Sequence, residues 1–111
     1  MKNITMNFVV ALIVFALPMA VHAAGNAAEG KKKAASCAAC HGEAGAKPIQ
    51  PDYPLLAGQH EDYLAAALTQ YKSGKRQNAI MKGFAAALSA QDIKDLSAYY
   101  AREKSALKML Y

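Results

Sequence analysis

The stretch Cys37-Ala38-Ala39-Cys40-His41 places two thiols three residues apart, with an imidazole directly after the second. On a helical turn, residues at this spacing lie on the same side, so both sulfurs can face one edge of a flat cofactor. His41 then follows beneath that edge and can offer a ring nitrogen to a metal. The spacing is the c-type haem attachment pattern, in which each thiol adds across one porphyrin vinyl group. It predicts one covalently bound haem c with its iron.

Other chemistries of a Cys-x-x-Cys pair are a redox dithiol, a disulfide and half of a zinc site. A thioredoxin-like dithiol is expected between a strand and a helix, and no strand pattern precedes Cys37. A four-ligand zinc site needs more ligands, yet Cys37 and Cys40 are the only cysteines of the sequence. His60 is expected to be a surface residue at the start of a helix. Haem attachment is the preferred interpretation.

Residues 1–23 have the pattern of a secretory signal peptide, here called the leader. Lys2 supplies a positive start, residues 8–17 are an unbroken apolar run, and Val21-His22-Ala23 has the small or apolar residues that a signal peptidase reads. The apolar run is short for an uncleaved membrane anchor. We therefore predict cleavage after Ala23, a periplasmic location, no stable membrane insertion after cleavage, and one domain over residues 24–111.

The composition beyond the leader predicts a small core that needs a cofactor. That part of the chain contains neither valine nor tryptophan, and much of its apolar content is alanine. Domains of this size often depend on a staple or a cofactor for stability. A haem would add a large apolar disc, so we expect a poorly folded apoprotein. The net charge of +5 comes without a basic stripe interleaved with aromatic residues, which disfavours nucleic acid as a partner.

The first helix is predicted from a capping pattern. Asn26 is expected as its N-cap, with Glu29 reaching back as in a capping box, and the helix is expected to run to about residue 35. Gly30 lowers helix stability, so it is expected to permit the close approach of another helix. The lysines at 31–33 are expected to face solvent.

Two further helices are predicted. Residues 59–73 have an apolar face at helical spacing and are followed by Gly74 as the C-terminal cap. Ser89 and Asp92 form a second capping-box pattern, which opens a helix expected to run to about residue 104. No alternating strand pattern occurs beyond the leader, so the sequence predicts an all-α domain.

The connections between these helices hold the remaining ligand candidates. Three prolines lie within residues 48–58, which excludes a long helix and predicts a stiff loop beside the cofactor. Residues 77–84 are expected to link to the last helix, and they include Met81. Met81 and Met109 are the only methionines beyond the leader. Such a residue is usually core, but a thioether is also a favoured sixth haem ligand, and Met81 is preferred because Met109 lies near the C-terminus.

These motifs resemble the short bacterial class I cytochromes c. The resemblance rests on Cys37-Ala38-Ala39-Cys40-His41, on Pro54-Leu55-Leu56-Ala57-Gly58-Gln59, on residues 76–81 and on the closing segment 88–100. It implies a cytochrome c fold of three to five helices around one haem, with the first and last helices crossing. It also implies thioether bonds from Cys37 and Cys40, and iron ligation by His41 and Met81. The implied pocket residues are Pro54, whose carbonyl would accept from His41, together with Leu56, Leu68 and Phe84.

The expected function is electron transfer by a periplasmic mono-haem carrier that cycles between Fe(II) and Fe(III), without enzymatic activity of its own. The alternative is a haem-carrying electron-transfer subunit of a larger redox complex. A gas or peroxide sensor would need an open iron site, and a haem-free dithiol oxidoreductase would be colourless. Expected partners are redox proteins that dock at the exposed haem edge, with the chain as a monomer or weak dimer. The tail at 105–111 has no place in the family pattern.

Overall fold

The structure is a computed structural model that describes residues 23–107. Residues 1–22 of the predicted leader, and Met109, lie outside the described residues. Five α-helices and one 3₁₀ turn make up the described chain, which contains no strand. This confirms the all-α prediction. The helices are α1 (Ala27–Lys33), α2 (Ala35–His41), α3 (Glu61–Ser73), α4 (Ala79–Ala86) and α5 (Ala90–Arg102), and the turn is Glu43–Gly45.

The first and last helices cross in direct contact. Gly30 of α1 is buried against α5, where an added Cβ would lie 2.0 Å from the Asp95 carbonyl oxygen and 2.8 Å from the Tyr99 Cβ. Any side chain at this position would push the two backbones apart, which explains a glycine inside a helix despite its cost to helix stability. The predicted close approach at Gly30 and the crossing of the two helices are therefore confirmed.

The cap of α1 differs in part from the prediction. The Asn26 side chain accepts from the backbone N–H groups of Ala28 and Glu29, as an N-cap does. Glu29 does not reach back to complete a capping box, because the Asn26 N–H donates to Asp95 Oδ1 at 2.8 Å instead. Glu29 pairs with Lys32 one turn later, at 2.7 Å. The predicted capping box is wrong because the Asn26 N–H, which Glu29 would have bound, already donates to a carboxylate of α5.

The lysine run does not face solvent as a unit. Lys31 and Lys32 are exposed, but the Lys33 Nζ lies 2.8 Å from Asp92 Oδ1 and 2.7 Å from Asp95 Oδ2. The Asp95 side chain is nearly fully buried, so Lys33 supplies the charge that a buried carboxylate requires. These residues form a clasp across the α1–α5 crossing, named here the Lys33 clasp: Lys33, Asp92 and Asp95.

The later helices largely follow the sequence prediction. Helix α3 begins at Glu61, two residues later than expected, and ends at Gly74, which has the left-handed φ of 82°. Helix α5 begins with the complete capping box of Ser89 and Asp92 and ends at Arg102. Both start and stop patterns are confirmed to within a few residues.

The expected link at 77–84 is wrong, because most of it is helix α4. Asn78 has an extended backbone and its side chain accepts from the Met81 N–H, which starts a helix at Ala79. The helix is short and contains Gly83 in its interior, so neither length nor propensity marked it in the sequence. The Asn78 cap was the available clue. Helix α4 packs against α3, and this pairing supplies one wall of the cavity described below.

Candidate haem-binding site

A cavity of about 360 Å³ opens between α2, the proline-containing loop and the α3–α4 pair. All the site residues predicted from the sequence lie in its lining. They come from four separate parts of the chain, so their meeting is a property of the fold. They are Cys37, Cys40, His41, Pro54, Leu56, Leu68, Met81 and Phe84.

Helix α2 presents both thiols and the imidazole to this cavity. The helix is only two turns long and ends at Gly42, whose φ of 79° turns the chain sharply after His41. An added Cβ at Gly42 would lie 2.0 Å from the Lys47 carbonyl oxygen, so glycine is required there by φ and by space. Cys37 and Cys40 are both free and half-buried. Two unoxidised thiols at one cavity edge are available to form covalent bonds.

His41 is held in one orientation by the proline-containing loop. The residue is 6% exposed, and Nδ1 lies 2.9 Å from the Pro54 carbonyl oxygen. A carbonyl can only accept, so Nδ1 must carry the hydrogen, and Nε2 keeps its lone pair for a metal. Iron-bound histidines nearly always have such a partner for the other ring nitrogen. The structure thus places Pro54 where the family resemblance implied that it would be.

Backbone hydrogen bonds hold the loop that carries Pro54. The N–H groups of Leu56 and Ala57 both donate to the Gly45 carbonyl, at 2.9 and 3.1 Å, and the Ile49 N–H donates to the Cys40 carbonyl at 3.0 Å. These bonds tie the loop to the segment that immediately follows α2. The position of the His41 acceptor is therefore set by the same segment that carries His41.

The opposite wall is made by α3 and α4. The face of α3 predicted to be apolar turns toward the cavity, with Leu64 and Leu68 toward the core and Tyr63 at the margin. Met81 lies in the first turn of α4 and is half-buried. Its thioether and the His41 imidazole thus line one cavity from different elements. Phe84 also lines it and is 47% exposed, as expected of an apolar residue whose contact partner would be a cofactor.

Two polar groups of the lining were missed by sequence reasoning. Arg76 lies with Nη1 3.4 Å from the Tyr63 hydroxyl and with its guanidinium 4.9 Å from the Tyr71 ring centre. Arg76 begins the segment 76–81 on which the family resemblance partly rests, but the sequence analysis gave it no role in the site. The second group is the Tyr100 hydroxyl, which is buried and has no hydrogen-bond partner among residues 23–107. No sequence pattern marks it.

These residues fit a covalently bound haem. Free thiols at haem-attachment spacing, an oriented imidazole and a thioether share one cavity whose remaining walls are largely apolar. Arg76 offers a cation to a cofactor that carries two carboxylates. The buried, unpartnered Tyr100 hydroxyl shows that the lining is incomplete without a bound group. An all-α fold with crossing terminal helices around such a cavity defines a c-type cytochrome.

Comparison with known proteins agrees with this class. The family profile described as Cytochrome c matches residues 27–101, and the chain belongs to that family, whose cofactor is covalently bound haem c. The chain is 45% identical to cytochrome c4 of Pseudomonas aeruginosa over 98 residues, which is 88% of this chain and 48% of that protein. It is 40% identical to cytochrome c-554(548) of Halomonas halodenitrificans over 84 residues, covering 73% of this chain and 100% of the relative.

A solved structure is similar as well. The chain matches reduced recombinant cytochrome c4 from Pseudomonas stutzeri with a TM-score of 0.70 and 36% identity, over 76% of this chain and 48% of that one. The chain therefore spans about half the length of the cytochrome c4 relatives that it matches. Within residues 23–107, no helix is long and apolar enough to cross a membrane.

Proposed function

We propose that this protein is an exported mono-haem electron carrier, with Cys37 and Cys40 as the thioether attachments and His41 and Met81 as the axial ligands. The observation that carries the proposal is the convergence of these four side chains on one cavity from α2 and α4. A bound haem supplies one iron that stores and releases a single electron. The protein's own contribution is to hold that iron and to set how readily it is oxidised.

His41 would contribute a ligand whose ring is held in one orientation. The bond from Nδ1 to the Pro54 carbonyl keeps the ring in one tautomer and orientation, and it increases the basicity of Nε2 toward a metal. Burial of the ring limits access of water to the bond that Nε2 would make. A rigid ligand suits a carrier, because little needs to move when the charge of the site changes.

Met81 contributes a soft, uncharged ligand. A methionine and histidine pair raises the reduction potential of a haem relative to other ligand sets. If His41 and Met81 both bind the iron, they would leave no position for a substrate, which agrees with a carrier that has no enzymatic activity. The Asn78 cap fixes the first turn of α4 and with it the start of the Met81 side chain.

The proposal also includes export to the periplasm and docking of redox partners. Cleavage after Ala23 would release a domain over residues 24–111 into the periplasm, where covalent haem attachment of this type is expected. The net positive charge suits brief docking of an acidic redox partner near the exposed haem edge, with the chain as a monomer or weak dimer. N-terminal sequencing of the protein from a periplasmic fraction tests this step, and a start other than Ala24 contradicts it.

Absorption spectra of the purified protein, oxidised and reduced, test the ligand set. The wild type should show covalently bound haem and the sulfur-to-iron band of methionine ligation. Met81→Ala should abolish that band and let the reduced protein bind carbon monoxide rapidly, because the sixth position opens. Met109→Ala is the matched control and should leave both properties unchanged. Loss of the band in Met109→Ala but not in Met81→Ala would contradict the choice of Met81.

The alternative, a haem subunit of a larger redox complex, predicts a different behaviour in solution. Size-exclusion chromatography of the protein from its native source separates the two functions. A free carrier elutes as a small haem protein, whereas a subunit co-elutes with a larger protein that can be reduced or oxidised through it.

A further inference from the structure

Tyr100 carries a polar group that the proposed function does not use. Its side chain is 4% exposed and lines the cavity, yet its hydroxyl has no hydrogen-bond partner within residues 23–107. Leaving a buried hydroxyl without a partner is costly, so such a group points to something that it can bind. Burial raises the pKa of this hydroxyl far above the ordinary value for tyrosine, with Cys37 as the second cause. The group is therefore a neutral donor at any physiological pH.

The ring of Tyr100 cannot turn this hydroxyl elsewhere. An added Cβ at Gly45 would lie 2.9 Å from Cδ1 and 3.0 Å from Cε1 of the ring, so the Gly45 backbone lies directly against it. The Tyr99 ring lies on another side, with the ring centres 4.9 Å apart. The Gly58 N–H also binds the Tyr100 carbonyl at 2.9 Å. The two ring contacts restrict the side chain, and the backbone hydrogen bond fixes the main chain that carries it.

The two thiols of α2 differ in their relation to this tyrosine. Cys37 packs against the buried cluster that contains Tyr100, and both residues line the cavity. Cys40 is not among the residues packed on that cluster and lies farther along α2, toward Ile49. The cavity wall is therefore asymmetric, because only the first thiol packs on the cluster that carries the buried hydroxyl.

We propose that Tyr100 is a positioning residue for haem attachment, whose hydroxyl donates a hydrogen bond to the Cys37 sulfur once that sulfur is a thioether. This rests on the proposed function. A thiol can donate or accept, but a thioether carries no hydrogen, so the tyrosine must be the donor. The bond gives the orphaned hydroxyl its partner and fixes the Cys37 attachment, while the Cys40 attachment has no counterpart of this kind in the cluster.

The bond has a consequence for the iron. The positive end of the hydroxyl dipole would point toward the haem edge, which favours the state with less positive charge, Fe(II). Hydrogen bonds to groups around a haem are among the means by which a protein sets its potential. Tyr100 would thus raise the reduction potential as well as hold one attachment.

Tyr100→Phe in the haem-loaded protein tests the proposal, with Tyr99→Phe as the matched control on the neighbouring ring. Removing the hydroxyl should lower the midpoint potential by about 18 mV, a twofold change in the one-electron equilibrium constant. It should also lower the denaturation midpoint, because a satisfied hydrogen bond is lost. Tyr99→Phe should leave the potential unchanged.

A second comparison assigns the effect to one sulfur. The potential shift from Tyr100→Phe should disappear in a Cys37→Ala background and persist in a Cys40→Ala background, since only partners in contact couple. An unchanged potential in Tyr100→Phe overturns the proposal, whatever the stability does. So does a shift that persists without the Cys37 sulfur. Failure of the proposed function looks different, because the wild type would then lack the spectrum of covalently bound haem.

Discussion

The α1–α5 crossing and the α3–α4 pair stabilise the domain by different means. At the crossing, Gly30 lies against the α5 backbone, and the Lys33 clasp joins the two helices through a buried carboxylate. The α3–α4 pair buries few large side chains, and Ile80 is 57% exposed although it lines the cavity. The crossing is packed by protein atoms, whereas the α3–α4 pair turns its apolar faces toward the space where a haem is expected.

The two regions therefore differ in whether they need a cofactor to complete their packing. The crossing needs nothing beyond the chain, because its close backbone contact and ion pairs are complete. The α3–α4 wall needs a cofactor to cover Ile80 and Phe84, which are 57% and 47% exposed and so contribute only part of their burial energy. The haem is thus expected to be part of the core on one side only.

Removing the haem should produce the largest difference in stability between the two regions. When attachment is prevented by replacing both Cys37 and Cys40 with alanine, the α3–α4 side loses the surface against which it would pack. We expect hydrogen exchange to show that α3 and α4 have lost protection, with residual protection confined to α1 and α5. Equal protection across all helices of this apoprotein would contradict the idea that only the α3–α4 side depends on the haem.

Replacing one glycine by alanine in each region should change the free energy of unfolding in opposite directions. Gly30→Ala forces a Cβ onto the Asp95 carbonyl and should lower the free energy of unfolding by about 3 kcal/mol. Gly83 in α4 has no atom within 4 Å of an added Cβ, so Gly83→Ala should raise it by about 1 kcal/mol through helix propensity. Chemical denaturation of the haem-loaded variants measures both. A destabilised Gly83→Ala variant would show that the α3–α4 side is packed as tightly as the crossing.

The smallest effect is a pH dependence confined to the crossing. The hydrogen bond from Lys33 lowers the pKa of Asp92 and of Asp95 to about 2, and the Asn26 N–H adds to this at Asp95. These folded-state values lie below the ordinary 3.8, so their contribution to stability is present above about pH 4 and is lost as the pH falls toward 2. Denaturation midpoints should therefore decline over this range.

Asp95→Asn should make that decline shallower, because one of the two carboxylates that titrate is removed. Glu61→Gln is the control, since it removes an exposed acid of α3 outside the crossing. Midpoints measured from pH 5 to pH 2 for the three proteins check this. A decline that Glu61→Gln removes and Asp95→Asn leaves would locate the pH dependence outside the Lys33 clasp.

Local patterns predicted much of the fold and of the candidate site. The ends of α3 and α5 were readable because Gly74 and the Ser89–Asp92 box act within a few residues. The link at 77–84 was misread because α4 is short, contains a glycine, and is held by packing against α3. The capping box predicted at Glu29 does not form because the Asn26 N–H binds Asp95, which lies 69 residues after Asn26 in the sequence.

The sequence by itself determined the haem-attachment pattern, since two thiols and an imidazole within five residues meet on any helical turn. It also predicted that folding depends on a cofactor, because residues 24–111 contain few large apolar side chains. Only the tertiary structure decided that Lys33 reaches Asp95, 62 residues away, and that the buried Tyr100 hydroxyl and Cys37 line the same cavity. Such contacts depend on how α1, α2 and α5 pack together, and no local spacing encodes that packing.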